Sequence, residues 1–432
     1  MRWLQTTIGH VCLPTGQRDP SDSAEGTFRY VDIAGIDRES KTISRADTIS
    51  CSDAPSRARK IIRRGDILVS TVRPNLNAVA QVPDDLDEAI ASTGFAVLRA
   101  NLDMVNSRYL FYWAQHEDFV NFLITNATGA HYPAVSDAAV RRASLPLPTL
   151  SEQRRIVEIL DEAARLRKLR SEADAKAGRI LPALFLKMFG DPATNPKGWP
   201  TMPLRSTASK YSDGPFGSNL KSEHYVSSGI RVVRLQNIGV GVFLDSDKAY
   251  ISAEHFASLA KHECRPGDVL IATLGDPNLR ACIQPKSLPI ALNKADCVQL
   301  RVADNVAAPE YVCSLLNMPS TLSLAQSLVL GQTRTRISMG RLGELVVPVP
   351  PIDLQHRFAS KSRVLTRLHQ NSGTSTLAIE GIYKSVLHQA FSGHLTAKWR
   401  GAHLKGLIVE LEQQARLLNL PPPSAERLAA EA

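Results

Sequence analysis

Hydrophobic and polar residues alternate along two short stretches of the chain, 28–33 (FRYVDI) and 230–235 (IRVVRL). Such alternation is typical of β-strands that bury one face. Two further runs, 67–72 (ILVSTV) and 269–274 (VLIATL), are rich in β-branched residues and follow Gly-Asp pairs that favour turns. Because each kind of element occurs twice in the same order, the pattern predicts two similar domains built from strands and short helices.

Two longer segments repeat apolar residues at steps of three and four, which is typical of amphipathic helices. The apolar positions of the first are Ile156, Ile159, Ala163, Leu166 and Ala173, and those of the second are Phe358, Leu365, Leu368, Ile382, Val386 and Ala390. Residues 371–374 (NSGT) interrupt the second stripe, and Pro182 is expected to kink the first helix. Because narrow stripes need burial, we expect the two helices to pair antiparallel about a pseudo-two-fold axis.

Alternating prolines precede each of these helices, at 145–149 (LPLPT) and 347–351 (VPVPP). Proline cannot continue a helix and restricts the residue before it, so each stretch is predicted to be an extended connector. Thr149 and Glu152 have the spacing of a capping box, in which each side chain bonds the backbone N–H of the other residue. Ser151 offers an alternative cap, so the first residue of the helix stays open.

A constant offset of 202 residues aligns the two halves of the chain, as in 63–83 (RRGDILVSTVRPNLNAVAQVP) and 265–285 (RPGDVLIATLGDPNLRACIQP). The same offset pairs Tyr109 with Tyr311, Gly129 with Gly331, Ser136 with Ser338, Gln153 with Gln355 and Phe189 with Phe391. One register held across strand-like, loop and helical stretches indicates a tandem duplication. The two halves should therefore share a fold, in which Ser136 and Ser338 are expected to cap short helices.

The composition is that of an ordinary globular protein. Of its 432 residues, 44% are hydrophobic and 22% are charged, which argues against a disordered or fibrous chain. No run approaches the roughly 20 apolar residues of a membrane helix, and the first residues lack a secretory apolar region. We therefore expect a cytoplasmic protein without a membrane partner. The 51 Lys and Arg residues against 42 Asp and Glu give a net charge of +9, which makes a polyanionic partner worth testing.

Several kinds of catalytic and cofactor site are missing from the sequence. It has no P-loop of the form GxxxxGK[S/T], no GxSxG elbow and no CxxC pair. His255, His262 and Cys264 are poorly spaced for zinc, so no metal or cofactor site is predicted. The pairs Glu39/Lys41 and Asp174/Lys176 match the end of a metal-dependent nuclease signature, but such tripeptides are common by chance. These absences favour a non-catalytic protein.

The first candidate site for contact with a polyanion is a cluster of basic residues around a single acidic residue, Asp66. Its members are Arg57, Arg59, Lys60, Arg63, Arg64 and Arg73. Such a cluster leading into a strand can neutralise phosphates, although a solvated hairpin face would have the same composition. Both interpretations stay open at this point.

Two pairs of loops add residue types that read DNA bases or bind phosphate. The candidates after the buried strands are Asn75, Asn77, Asn278 and Arg280, and those after Gly129 and Gly331 are His131, Tyr132, Gln332, Thr333, Arg334 and Arg336. Asn beside Pro is also ordinary turn chemistry, and the second pair could simply cap the helices at Ser136 and Ser338. The two copies share scaffold positions but differ in these loops, which suggests two different half-sites.

The connectors carry a resemblance to a known family. Residues 145–156 (LPLPTLSEQRRI) resemble the junction between recognition domain and conserved helix in specificity subunits of type I restriction–modification enzymes. Residues 347–358 (VPVPPIDLQHRF) match less well, with Asp353 and Leu354 where the first copy has Ser and Glu. The resemblance covers about residues 1–395.

This resemblance implies an α/β (α+β) fold with two tandem target-recognition domains joined by two long antiparallel helices. The implied segments are recognition domain 1 (1–148), a central helix (149–192), recognition domain 2 (193–350), a second helix (351–395) and a C-terminal extension (396–432). The extension lies outside the repeat and has no implied role. Its leucines suggest a short amphipathic helix.

The resemblance also implies a non-catalytic reader of double-stranded DNA. Such a chain would scaffold two methyltransferase subunits, with translocase-nuclease subunits joining them, and the helices would act as a ruler between the halves of a bipartite target. S-adenosylmethionine, ATP and Mg²⁺ would belong to the partners, and this chain would hold no cofactor. The alternatives are a helical scaffold whose basic charge is incidental and, less favoured, a metal-dependent nuclease using Glu39 and Lys41.

Overall fold

The computed structural model describes residues 3–23, 25–275, 277–329 and 336–419, apart from the side chains of 369–372. The predicted strand at 67–72 is observed at Ile67–Ser70, and all four of its residues are buried. Ile67 and Val69 pack into a different hydrophobic cluster from Leu68 between them, so both faces of the strand are covered. Coverage of both faces explains why Ile67, Leu68 and Val69 are apolar in succession instead of alternating with polar residues.

The chain divides into two compact units, one formed by Met1–Ser171 with Ser375–Ala432 and the other by Glu172–Thr374. Each unit contains one of the two predicted domains together with parts of both long helices. Among the described helices, none is long and apolar enough to cross a membrane. All six cysteines are buried and unpaired.

The first unit contains two four-stranded sheets and two smaller strand pairs. Its strands are β1 (Leu4–Thr7), β2 (Cys12–Leu13), β3 (Thr27–Val31), β4 (Ile36–Asp37), β5 (Thr42–Ile43), β6 (Asp47–Ser50), β7 (Ala58–Ile61), β8 (Ile67–Ser70), β9 (Val79–Gln81), β10 (Ile90–Ser92), β11 (Phe95–Ala100) and β12 (Ser144–Leu147). The four-stranded sheets have the orders β6-β3-β10-β7 and β2-β11-β8-β9, and the pairs are β1-β12 and β4-β5. Strand β8 pairs antiparallel with β9 and β11.

Helices cover the β2-β11-β8-β9 sheet of this unit. They are α1 (Ile8–Val11), α2 (Ser107–Trp113), α3 (Glu117–Thr125), α4 (Asp137–Arg142) and the start of α5 (Leu150–Gly178). Ser136 caps α4 as predicted, because its hydroxyl oxygen accepts a hydrogen bond from the Ala139 amide at 3.2 Å.

The second unit repeats the two-sheet arrangement. Its strands are β13 (Thr201–Pro203), β14 (Ala208–Asp213), β15 (Tyr225–Val226), β16 (Ile230–Val233), β17 (Tyr250–Ile251), β18 (Glu263–Cys264), β19 (Val269–Ala272), β20 (Arg280–Ile283), β21 (Ala291–Asn293), β22 (Cys297–Val302) and β23 (Val346–Pro348). The sheet orders are β14-β22-β19-β20 and β15-β17-β16-β21-β18, with β13-β23 as a separate pair. The predicted α/β (α+β) fold with duplicated domains is confirmed.

The helices of the second unit are α6 (Ile180–Phe189), α7 (Ala253–Ser258), α8 (Pro309–Leu316), α9 (Pro319–Gln326), α10 (Met339–Gly343) and α11 (Ile352–Phe391), the last of which ends in the first unit. Helices α8, α9 and α10 correspond to α2, α3 and α4 of the first unit, whereas α7 has no α-helical counterpart among the residues described there. Ser338 caps α10 as predicted, accepting from the Arg341 amide at 3.4 Å.

Individual contacts also repeat at the 202-residue offset. The hydroxyls of Tyr109 and Tyr311 donate to the carbonyl oxygens of Pro146 and Pro348, each at 2.7 Å. A buried aspartate follows Gly65 in the first unit and Gly267 in the second. Each of these carboxylates binds one arginine through two hydrogen bonds, in the pairs Asp66–Arg99 (2.9 and 2.7 Å) and Asp268–Arg301 (2.8 and 2.9 Å). The duplication therefore extends from the strand order to matched side-chain contacts.

A buried glutamine joins each domain to its long helix. Gln153 accepts from the Asn106 amide at 2.7 Å and donates to the carbonyl oxygens of Met104 and Pro148 at 3.2 and 2.8 Å. Gln355 makes the three equivalent bonds, to Ala308, Val306 and Pro350. Each amide side chain thus uses backbone groups on both sides of the junction.

The two long helices differ in continuity. A break at Arg179 separates α5 from α6, since Pro182 has no N–H to donate to the carbonyl of Gly178. By contrast, α11 runs unbroken through residues 371–374. Within the first unit the two helices run antiparallel, with Arg167 paired to Glu380 at 2.6 Å and, one turn on, Arg170 bonded to Thr376 at 3.1 Å.

The capping box at the start of α5 is only half formed. The Thr149 hydroxyl accepts from the Glu152 amide at 3.4 Å, as predicted. The reciprocal bond was predicted wrongly, because the fully buried carboxylate of Glu152 instead accepts from the Trp3 indole at 3.0 Å and Thr396 at 2.6 Å. Arg400 donates to the same carboxylate at 2.8 Å.

The C-terminal extension packs onto the first unit through these contacts. It forms α12 (Ala397–Ala402) and α13 (Leu404–Leu417), the short amphipathic helix suggested by the leucines. Leu407 and Leu411 are buried in this helix, and Gln414 donates to the carbonyl oxygens of Met104 and Pro148 that Gln153 also uses. The extension therefore belongs to the structure of the first unit.

Candidate nucleic-acid interface

Two loops that are far apart in sequence come together at one edge of the first unit. The end of the buried strand pairs with the loop after Gly129 through a β-bridge between Val72 and Ala134. The Arg73 amide donates to the Pro133 carbonyl oxygen at 2.7 Å. Backbone pairing thus places the candidates at 73–77 beside those at 131–132.

The exposed side chains at this edge suit contact with DNA. The Arg73 guanidinium lies 4.9 Å from the centre of the Tyr132 ring, which is 70% exposed, and Asn75 and His131 are exposed too. A guanidinium stacked on a ring keeps its N–H groups free for bonds in its own plane. We call these four residues, Arg73, Asn75, His131 and Tyr132, the first contact surface.

The backbone at this edge is strained. Arg73 and Asn77 have φ values of 50° and 44°, in the left-handed region that residues other than glycine rarely occupy, and they flank the turn Pro74–Leu76. Strain of this kind is found preferentially at functional sites, where the surrounding structure holds it.

Asn77 itself faces the protein, contrary to the prediction that it reads bases. Its side-chain amide donates to the Gln115 carbonyl oxygen at 3.3 Å, and its own carbonyl accepts from the Lys41 ammonium at 2.5 Å. Burial lowers the pKa of Lys41 to about 8, with the charges of Arg167 and Arg38 adding to the shift. Lys41 therefore holds this loop in place, and its ammonium is committed to that contact rather than to a nuclease site.

The predicted basic cluster is not one continuous cationic surface. Lys60 is 6% exposed and paired with Asp137, so its assignment to DNA was wrong. Arg59 is half-buried and pairs with Asp19 at 2.7 Å. Burial and pairing of this kind satisfy a cation within the protein and leave little for a phosphate.

The remaining cations of the cluster are exposed. Arg63 lies 3.8 Å from Glu88 in an exposed pair, while Arg57 and Arg64 are exposed at the surface. The backbone of Arg57 connects to the first contact surface through Thr93, whose amide donates to the Arg57 carbonyl at 2.8 Å, and the neighbouring Gly94 carbonyl accepts from the Thr71 amide. Backbone hydrogen bonds thus link Arg57, through Thr93 and Gly94, to the strand end that precedes the first contact surface.

The second unit has the same loop arrangement with different side chains. Leu274 and Arg336 form the equivalent β-bridge, and the Ile337 amide donates to Thr273 at 2.9 Å as Val135 does to Thr71 in the first unit. Arg336 is exposed, 3.6 Å from the Asp296 carboxylate, and Asn278 is half-buried. The candidates Gln332, Thr333 and Arg334 lie outside the described residues.

Arg280 is a structural residue, and its predicted role in reading bases was wrong. Its guanidinium donates to the carbonyl oxygens of Ile238 at 2.7 Å, Pro277 at 3.0 Å and Leu235 at 3.2 Å. An arginine bonded to this many carbonyls fixes the loops around it and has few donors left for a base.

An exposed aromatic residue beside Arg336 was missed from the sequence. Phe216, 45% exposed, lines a cavity of about 230 Å³ together with Asp296 and Arg336. It lies 120 positions from Arg336, so only the fold brings them together. The sequence signal that could have found Phe216 is its place directly after Gly214 and Pro215, a pair that is typical of loops. We call Phe216 and Arg336 the second contact surface.

Comparisons with known proteins show what this chain is similar to. Residues 11–174 match the family model of the type I restriction modification DNA specificity domain. Over 164 residues the chain is 28% identical to the type I restriction enzyme HindI specificity subunit of Haemophilus influenzae, a match that covers 38% of this chain and 34% of that protein. The chain thus spans only about a third of the length of that relative.

Two longer matches extend the similarity over both units. The MjaVIII specificity subunit of Methanocaldococcus jannaschii is 20% identical over 329 residues, which is 72% of this chain and 75% of that protein. A chain solved in a study of complex assembly and conformational transition of the type I R-M system is 27% identical with a TM-score of 0.58. That match covers 91% of this chain and 98% of the other. The resemblance first seen in the connectors is confirmed.

Proposed function

The chain is a relative of the specificity subunits of type I restriction enzymes, and on that basis we propose that it is the DNA-recognition subunit of a type I restriction–modification complex. The observation that carries the proposal is the pairing of loops in each unit. In each unit an exposed arginine lies at the bridge with an exposed aromatic residue nearby: Tyr132 next to Arg73 in the first unit, and in the second Phe216, from a separate segment, lining one cavity with Arg336. Arginine binds phosphate or guanine, and an aromatic ring can stack on bases or sugars.

The proposed target is bipartite. The matched scaffold contacts support two units that bind DNA in the same manner, while the differing side chains of the two contact surfaces support two different half-sites. That the long helices set the spacer between the half-sites stays a prediction.

Mapping of methylated bases in cells that express the chain with its methyltransferase subunits tests the bipartite target. We expect a motif of two short blocks separated by a fixed gap. Tyr132→Ala should relax or abolish one block and Phe216→Ala the other, since each ring belongs to one unit. Methylation without sequence preference would favour the helical scaffold instead, and a motif changed in both blocks by either substitution would contradict the assignment.

Replacement of Arg73 by alanine should weaken binding of the assembled complex to its target duplex. If the guanidinium contacts a phosphate, the slope of log K against log salt should become shallower by about one unit. If it contacts a base, the cost should be about 1–3 kcal/mol and specific to one position. Fluorescence anisotropy at several salt concentrations measures both the salt slope and the change in binding free energy. Arg45→Ala, which removes an exposed arginine paired with Asp47, is the matched control and should change neither.

The proposed partners are two methyltransferase subunits, with translocase-nuclease subunits joining the complex. Exposed apolar residues on the long helices support a docking role, because large apolar side chains exposed along a helix commonly mark protein contacts. They are Leu166, Leu169, Val364, Leu368, Leu377 and Ile382. We assign S-adenosylmethionine, ATP and Mg²⁺ to those partners.

A further inference from the structure

Three potential metal ligands, none of which belongs to a contact surface, meet in the first unit. His116 and Glu117 lie at the start of α3, and His388 lies in the last turn of α11. One ligand atom from each residue lies within 4.8 Å of the other two. The His388 Nδ1 is 3.2 Å from a Glu117 carboxylate oxygen, and the two imidazole rings stack with centroids 5.9 Å apart.

His116 has a nitrogen that the protein does not use. The residue is 3% exposed, and its buried Nε2 has no hydrogen-bond partner. Its Nδ1 accepts a hydrogen bond from the Asp118 amide at 3.3 Å, and the carboxylate of the same residue lies 3.6 Å from that nitrogen. Metal binding through Nε2 therefore requires the ring proton to move from Nε2 to Nδ1, where the Asp118 carboxylate can accept it, as carboxylates commonly do for metal-bound histidines.

Burial of the ring lowers the pKa of His116, and the charges of Asp118 and Glu117 oppose that shift. The second ligand lies at the C-terminal end of α11, where the helix dipole favours a cation.

The shared fold does not require these side chains. At the 202-residue offset, His116, Glu117 and His388 correspond to Met318, Pro319 and Leu186 of the second unit. The aromatic packing next to them is retained, since Phe391 packs against Tyr109 at 5.1 Å and its counterpart Phe189 packs against Tyr311 at 4.8 Å. Apolar residues thus serve in the second copy, and the polar trio is specific to the first.

We propose that His116, Glu117 and His388 bind a Zn²⁺ ion that ties the end of α11 to the start of α3. Two imidazoles and one carboxylate are a common zinc set, with water as the fourth ligand. Magnesium and calcium prefer all-oxygen sites, which this is not. Binding would be independent of the proposed DNA recognition, because none of the three residues belongs to a contact surface.

Calorimetric titration of the full, untagged chain with Zn²⁺ after chelator treatment tests the site. We expect one ion per chain and a thermal midpoint that rises with Zn²⁺, since a ligand that binds the folded state stabilises it. His116→Met and His388→Leu install the residues of the second unit and should weaken binding by more than about tenfold. Glu117→Gln, which keeps the shape of the side chain, should weaken it as well.

A control separates this site from casual binding by other histidines. His224 and His255 of the second unit have ring centroids 4.1 Å apart, and His255→Ala should leave Zn²⁺ binding to the trio unchanged. Circular dichroism without metal should show each variant folded. The proposal is overturned if the native chain binds no Zn²⁺, or if folded His388→Leu binds it as tightly as the native chain does. As a second readout, Co²⁺ should give visible d–d absorption with the native chain that His388→Leu loses.

Discussion

Replacement of Asp66 by alanine should destabilise the first unit by about 3–5 kcal/mol, the cost of removing one partner from a buried ion pair. The side chain of Asp66 is 3% exposed. It accepts two hydrogen bonds from Arg99 and one from the Arg63 amide at 2.8 Å. The substitution leaves Arg99, only 19% exposed, without a counter-charge. Denaturant unfolding followed by hydrogen exchange measures the loss and locates it.

The duplication supplies a matched experiment for this effect. Asp268→Ala removes the equivalent carboxylate, which binds Arg301 in the same way. We expect faster exchange in peptides of the second unit for this variant and of the first unit for Asp66→Ala. Loss of protection spread evenly over both units in either variant would show that the two ion pairs do not act locally.

Arg400→Met should be comparably costly, by about 3–5 kcal/mol, because it leaves the Glu152 carboxylate buried without its cation. Glu152 is fully buried, and Arg400 also donates to the Gly393 carbonyl oxygen at 2.8 Å. Limited proteolysis should then cut within 396–419, as the extension loses its anchor. Denaturant unfolding gives the magnitude.

A double substitution distinguishes charge from packing at this anchor. Glu152→Leu installs the residue found at the equivalent position, Leu354, and removes the stranded carboxylate. Glu152→Leu with Arg400→Met should recover part of the stability lost by Arg400→Met alone, since an apolar pair can replace a buried ion pair. Equal loss in the single and double variants would mean that the stability comes from the shape of Arg400 and not from its charge.

The parts of the fold that could be predicted from the sequence were those that depend on local residue patterns or on the internal repeat. A single register, with an offset of 202 residues, required the two copies to make the same contacts, and the Tyr109 and Tyr311 bonds meet that expectation. The caps at Ser136 and Ser338 were predictable because a hydroxyl at that position bonds an amide only three residues away.

The side-chain partners that the sequence could not supply are distant in the chain. Lys60 pairs with Asp137, 77 residues further on, and Arg280 bonds carbonyls that carry no sequence signature at all. A basic residue looks the same in the sequence whether it faces solvent or a buried carboxylate. Residue type therefore could not say which side chains of the two loops point outward.

The spacing of the capping box was misleading for a related reason. Thr149 and Glu152 had the right separation, but the carboxylate had stronger partners in Trp3 and Arg400 at the two ends of the chain. The bond from the Arg400 guanidinium, in which both partners are charged, outweighs a local bond from a neutral backbone amide. Only the folded chain brings those two ends to the helix start.

The junction glutamines bear on how such a chain can change over generations. Gln153 and Gln355 join each domain to its helix through hydrogen bonds to backbone carbonyl and amide groups. Every residue has a backbone carbonyl, and every residue except proline also has a backbone N–H. The junction between domain and helix therefore depends little on the identity of the neighbouring side chains. Recombination at this junction could join a domain of quite different sequence to an existing helix. Such a gene would gain a new specificity in one exchange rather than by successive point mutations.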